Sequence, residues 1–166
     1  MTIVILGVGN RLRGDDAIGS IIAEEILRIA QSDKKLKCHS EGVITTEESQ
    51  SLVIFDTEIT PENYIDKVID LKPDWVIFID ACNFKAKPGA FRLFEEEKIK
   101  EISYGLLSTH TLPLTLTIEL IKKQHKCRIS LLGIQPKQII MGEELSSEVK
   151  DAKQKIIQYI TELVNL

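Results

Sequence analysis

The chain lacks most of the short motifs that announce enzyme chemistry. It has no GxSxG elbow for a serine nucleophile, no HExxH zinc helix, no glycine-rich phosphate loop ending in Lys-Ser or Lys-Thr, and no CxxC pair. Cysteine is scarce. Cys38, Cys82 and Cys127 form an odd, widely spaced set that suits neither a disulfide framework nor a cysteine-based zinc site and favours a reducing cytoplasm. No apolar run reaches the length of a membrane span, which argues against membrane insertion. The start, MTIVILGVGN, is apolar but has no basic leader and no small-residue cleavage site, so no signal peptide is expected. A net charge of −4 gives no general pull toward nucleic acid or anionic lipid.

What is there reads as one folded domain over residues 1–166. The composition, 43% hydrophobic and 28% charged, is that of an ordinary globular chain with enough apolar residues for a good core. Aliphatic runs at 2–6, 52–55, 75–80 and 128–134 read as strands, the first as one buried on both faces and 75–80 as the clearest buried strand, and 90–94 as a further strand. Helical spacing runs between them. Ile18, Ile22, Ile26 and Ile29 mark one helix, and Tyr64, Ile65, Val68, Ile69 and Leu71, opened by Pro61, mark another. Val149, Ala152, Ile156, Ile160 and Leu163 mark a terminal helix. Residues 112–120 alternate like a strand. Even so, Thr111 and Pro113 in front and Lys122 and Lys123 behind favour a helix. Residues 95–97, all glutamate, open a solvated charged segment, and a short hairpin is expected within 32–51. Strands alternating with helices predict an α/β fold: a three-layer α/β/α sandwich around a mostly parallel twisted sheet of about five strands.

The first nineteen residues organise the rest. A buried strand ends at Gly7 and Gly9, a basic loop follows, and Asp15 and Asp16 stand where the first helix opens. In open α/β sheets ligands bind at the carboxyl ends of the strands. Three residues follow a strand or a loop near that edge: Asp16, Asp80 and His110. Two carboxylates and an imidazole suit nickel, zinc or related ions. Each has a plainer alternative. Asp15 or Asp16 would serve as a helix N-cap, Asp80 as a turn acceptor, and His110 as a surface or capping residue. His39 and His125 read as surface residues, and Cys82 as a buried structural thiol. GVGNRL fills only two places of a dinucleotide fingerprint, since Leu12 stands at the third.

The motifs ILGVGNRLRGDDAIG, DLKPDWVIFIDA, STHTLPL, LLGIQP and LSSEV, in this order and spacing, resemble those of the hydrogenase maturation endopeptidases. These enzymes trim the large-subunit precursor of nickel–iron hydrogenases. The resemblance covers nearly the whole chain. The segments with Asp56, Pro61, Glu62 and Asn63, and with His110, Pro113 and Leu114, are similar to the branch serving formate-hydrogenlyase-type hydrogenases. The resemblance implies a three-layer α/β/α fold and an aspartic-type peptidase with metal-dependent recognition. It also implies that Asp16, Asp80 and His110 are both the catalytic and the metal-binding residues. The first of these is often glutamate in the family, so aspartate here keeps the charge with a shorter reach. Thr57 and Glu58 stand where relatives commonly carry small, glycine-containing residues, and residues 32–51 are longer than in close relatives.

The resemblance further implies that nickel arrives with the precursor, that no permanent cofactor is held, and that other divalent cations can occupy the site in crystals. The enzyme then cuts one bond near the precursor's C-terminus and releases a short peptide. Two rival readings stand beside it. One is an α/β enzyme binding a nucleotide or phosphate at Gly7 and Gly9, against which Asp15 and Asp16 count by repulsion. The other is a non-catalytic, metal-dependent chaperone of the same precursor.

Overall fold

The computed structural model describes residues 1–32, 37–39, 43–45, 51–103 and 113–164. Its scaffold is a seven-stranded sheet in the order β2-β3-β4-β1-β5-β7-β6. The strands are β1 (Thr2–Val8), β2 (Lys37–His39), β3 (Val43–Thr45), β4 (Ser51–Glu58), β5 (Trp75–Ala81), β6 (Phe91–Glu95) and β7 (Arg128–Ile134). Five of the seven are five residues or longer, which matches the five expected. The other two are the three-residue arms of the expected hairpin, with Lys37 opposite Thr45 and His39 opposite Val43. The four central strands, β4, β1, β5 and β7, run parallel, while β3 and β6 join antiparallel at either side.

Strand β1 shows why the sheet is covered on both faces. Ile3 and Ile5 pack with α1 (Ile18–Ser32) and α5 (Ser147–Leu163). Val4, Leu6 and Val8 point the other way, into a second core with α2 (Ile65–Asp70), α3 (Glu96–Ser103) and α4 (Leu114–Gln124). Alternate residues of a strand face opposite sides, so a strand between two helical layers must be apolar throughout. This is the expected α/β/α sandwich. Among the described residues, no helix is long and apolar enough to cross a membrane.

The charged segment at 95–97 is solvated as expected: Glu95 closes β6, Glu96 and Glu97 open α3, and Glu95 and Glu97 are exposed. Two local expectations change. Ile29 is 40% exposed, although Ile18, Ile22 and Ile26 are buried as expected. The buried stripe of α1 also takes in Gly19, Ala23 and Ala30. Small residues let the helix press close to the sheet, and that turns Ile29 to the margin. In α4, Pro113 is the N-cap rather than a first-turn residue. Leu114, Thr117, Ile118 and Ile121 are buried at helical spacing, which settles the helix over the strand.

Candidate active site

The carboxyl ends of the parallel strands form one rim, and β1 builds its centre. After Val8 the chain passes Gly9 and an eight-residue connection to α1, whose second half is a 3₁₀ turn, Gly14–Ala17. Gly9 has no room for a side chain, since a Cβ there would lie 2.1 Å from the Asp16 carbonyl oxygen. Gly19 is equally confined, its Cβ falling 2.1 Å from the Ile79 carbonyl oxygen and 2.2 Å from that of Val8. The first turn of α1 therefore sits directly on β1 and β5. It places Asp16, three residues before Gly19, at the rim where Asp80 follows Ile79. The 3₁₀ turn also contacts β5.

Asp16 and Asp80 are both buried, at 2% and 3% exposure. Burying a carboxylate is costly unless it is paired or hydrogen-bonded, so neither is an incidental surface acid. His110 lies outside the described residues. Among the described residues, no group of three His, Cys, Asp or Glu side chains could hold a metal ion. The structure thus brings Asp16 and Asp80 to one edge, one on the turn after β1 and the other near the end of β5.

The N-cap reading of the two acids does not hold. The N-cap of the 3₁₀ turn is Arg13, with no side-chain cap, and Asp15 and Asp16 lie inside the turn. Asp15 is fully buried and binds residues far along the chain. Its Oδ2 accepts from the Lys137 and Gln138 amides at 2.8 and 3.1 Å, and from Ser146 Oγ at 2.9 Å. Its Oδ1 accepts from the Ser146 amide at 2.7 Å.

The β4 end of the rim is tied to the same loop. Thr57 Oγ1 donates to the Gly7 carbonyl at 2.9 Å, and the Gly9 amide donates to the Glu58 carbonyl at 2.8 Å. Arg11 bonds Asp56 at 2.7 Å and Glu24 at 2.8 Å. The Asp56 bond above all raises the pKa of that guanidinium. Thr57 and Glu58 thus hold the start of the loop that leads to Asp16.

The β5 end is held by Gln135, which the sequence reading passed over. Its Oε1 accepts from the Phe84 and Ala86 amides at 3.0 and 3.2 Å, fixing the loop that follows Asp80. Its sequence signal was its place in LLGIQP, directly after strand β7. Cys82 is buried, and burial pushes its thiol pKa up, with the charge of Asp80 adding to the effect. A thiol held neutral is a poor nucleophile and metal ligand, which supports its structural role. His125 is half-buried, its Nε2 donating to the Pro73 carbonyl at 2.8 Å, so it serves the turn before β5. The side chain of His39 lies outside the described residues.

Residues 37–163 match the family model described as hydrogenase maturation protease, HycI. A Methanocaldococcus jannaschii chain with a provisional hydrogenase maturation protease name is 30% identical over 162 residues, 98% of this chain and 88% of that one. The hydrogenase 3 maturation protease of Escherichia coli K12 is 28% identical over 158 residues, 95% of this chain and 88% of its own. The crystal structure of the [NiFe] hydrogenase maturation protease HycI from Thermococcus kodakarensis superposes with a TM-score of 0.74 at 32% identity, covering 99% of this chain and 92% of that one. This chain is a peptidase belonging to the hydrogenase maturation protease family, related to its hydrogenase 3 type.

Proposed function

We propose that this protein is an endopeptidase that removes a short C-terminal peptide from the nickel-loaded precursor of a nickel–iron hydrogenase large subunit. In this reading the nickel is part of the substrate, and Asp16, Asp80 and His110 meet it as two oxygen donors and one nitrogen donor. The observation that carries the proposal is the pair of buried carboxylates, Asp16 and Asp80, set at one rim of the sheet in a chain of this family. A substrate-borne nickel ion gives two carboxylates and an imidazole a cation to bind together, so metal loading becomes the condition for productive docking.

Hydrolysis needs an attacking water, a base to take its proton, and a polarised carbonyl. The substrate's nickel supplies the polarisation, and a carboxylate at the rim takes the proton. Seating the precursor through its nickel also orders the scissile bond against the rim, which lowers the entropic part of the barrier. The phosphate-binding alternative gains no support. Gly7 is a strand residue whose Cβ would collide with Ala23, and Asp16 stands behind Gly9.

The deciding experiment is mass spectrometry of nickel-loaded and nickel-free precursor before and after incubation. Loss of a C-terminal fragment only from the loaded form is expected. An intact mass with a stable complex would make the protein a holding chaperone. Asp16→Asn, Asp80→Asn and His110→Ala should each abolish cleavage while leaving the fold intact. Normal processing by His110→Ala would remove the histidine from the site.

A further inference from the structure

The geometry points to Asp15 as the positioning residue for Asp16: a buried latch that locks the rim turn to the segment between β7 and α5. The inference rests on the reading of Asp16 given above. The four hydrogen bonds that the Asp15 carboxylate accepts all come from residues 137–146, which lie 122 to 131 places along the chain. Three backbone bonds run beside them. The Asp15 amide donates to the Gln138 carbonyl at 3.2 Å, the Gly14 amide to Glu143 at 3.0 Å, and the Gly142 amide to Leu12 at 2.8 Å. The turn that carries Asp16 is thus clamped on its N-terminal side by one distant segment.

Neighbouring residues of a 3₁₀ turn are separated by about 120° around the axis. With Asp15 fixed against the β7–α5 segment, the direction open to the Asp16 side chain is fixed as well. The charge of Asp15 is also accommodated. Ser146 is the N-cap of the 17-residue helix α5 and makes no side-chain cap of its own, its hydroxyl going to Asp15 instead. The positive end of α5 therefore faces the Asp15 carboxylate. The paired acids divide their work: Asp15 is held by the α5 terminus, and Asp16 is presented at the rim.

The test uses the full chain and the nickel-loaded precursor. Asp15→Asn keeps the shape but turns an NH₂ group toward an N–H donor, so one bond becomes a repulsion. Loss of such an outer support is expected to slow cleavage at saturating precursor by about 10- to 100-fold. The rates are read at temperatures where the melting curve shows the variant folded. Ser146→Ala removes one bond of the four and should slow cleavage by about 2- to 10-fold. It carries the test if Asp15→Asn does not fold. The affinity advantage of loaded over nickel-free precursor should shrink in the same order, a readout that lowered stability alone would not move. Variants that melt earlier but cleave at the wild-type rate when folded, with that advantage unchanged, would overturn the proposal while leaving the Asp16 reading intact. Normal cleavage by Asp16→Asn would overturn both.

Discussion

Arg11 and Asp56, 45 residues apart, meet with Nη2 2.7 Å from Oδ2, joining the loop after β1 to the end of β4. Both side chains keep solvent contact, at 40% and 27% exposure, so water screens the pair. A double-mutant cycle with Arg11→Gln and Asp56→Asn, followed by urea unfolding, should give a coupling of only about 0.5–1 kcal/mol. A coupling several times larger would mean that this bond, rather than the buried core, anchors the loop.

Gly19 should be far less tolerant. Its missing Cβ leaves room for two backbone carbonyls, those of Ile79 and Val8, and neither can move without shifting a central strand. Gly19→Ala is expected to destabilise the fold by about 3 kcal/mol or more. Gly142→Ala is the control. Nothing lies within 4 Å of its Cβ position, and only its φ of +81° resists a side chain, so about 1 kcal/mol is expected. Thermal unfolding of the two variants side by side checks the order.

The contrast between these positions explains what the sequence revealed. The strands were legible because residues such as Val76 to Ile79 must be apolar on both faces, whatever the detail of packing. The rim positions of Asp80 and Asp16 were legible because one closes an apolar strand run and the other stands where the first helix opens, at the edge where α/β sheets place their ligands. Asp15 was misread because its partners, Lys137, Gln138 and Ser146, lie more than 120 residues away. No local spacing encodes such a contact. Gln135 was missed for the same reason, since its ligands are amides of another loop. Ile29 failed because the rotation of α1 depends on where its small residues let it approach the sheet.

Gln135→Ala tests the β5 side of the rim. It strips the acceptor from two half-buried amides, Phe84 and Ala86. A cost of about 1–3 kcal/mol is expected. Hydrogen exchange should quicken at those two amides more than at Val76 or Ile77 in the middle of β5. Equal acceleration along the whole strand would show general destabilisation instead of local release of the loop after Asp80.

The carboxyl of Glu148 is held down to about 2, first by the Lys137 ammonium bonded at 2.8 Å, then by its own backbone amide and the Ser147 hydroxyl. A carboxyl whose pKa is lower in the folded chain than in the unfolded one binds fewer protons when folded. Its contribution is therefore complete above the ordinary carboxylate value of about 4.3 and is lost as pH falls from there toward 2. Because Lys137 belongs to the segment that Asp15 grips, the same acid range should loosen the link between that segment and α5. An NMR titration should find the Glu148 midpoint well below the ordinary carboxylate value. Lys137→Met should move it upward, because the first and largest of its causes is gone. A midpoint unchanged by that substitution would assign the shift to the amino end of α5, which faces both Glu148 and Asp15.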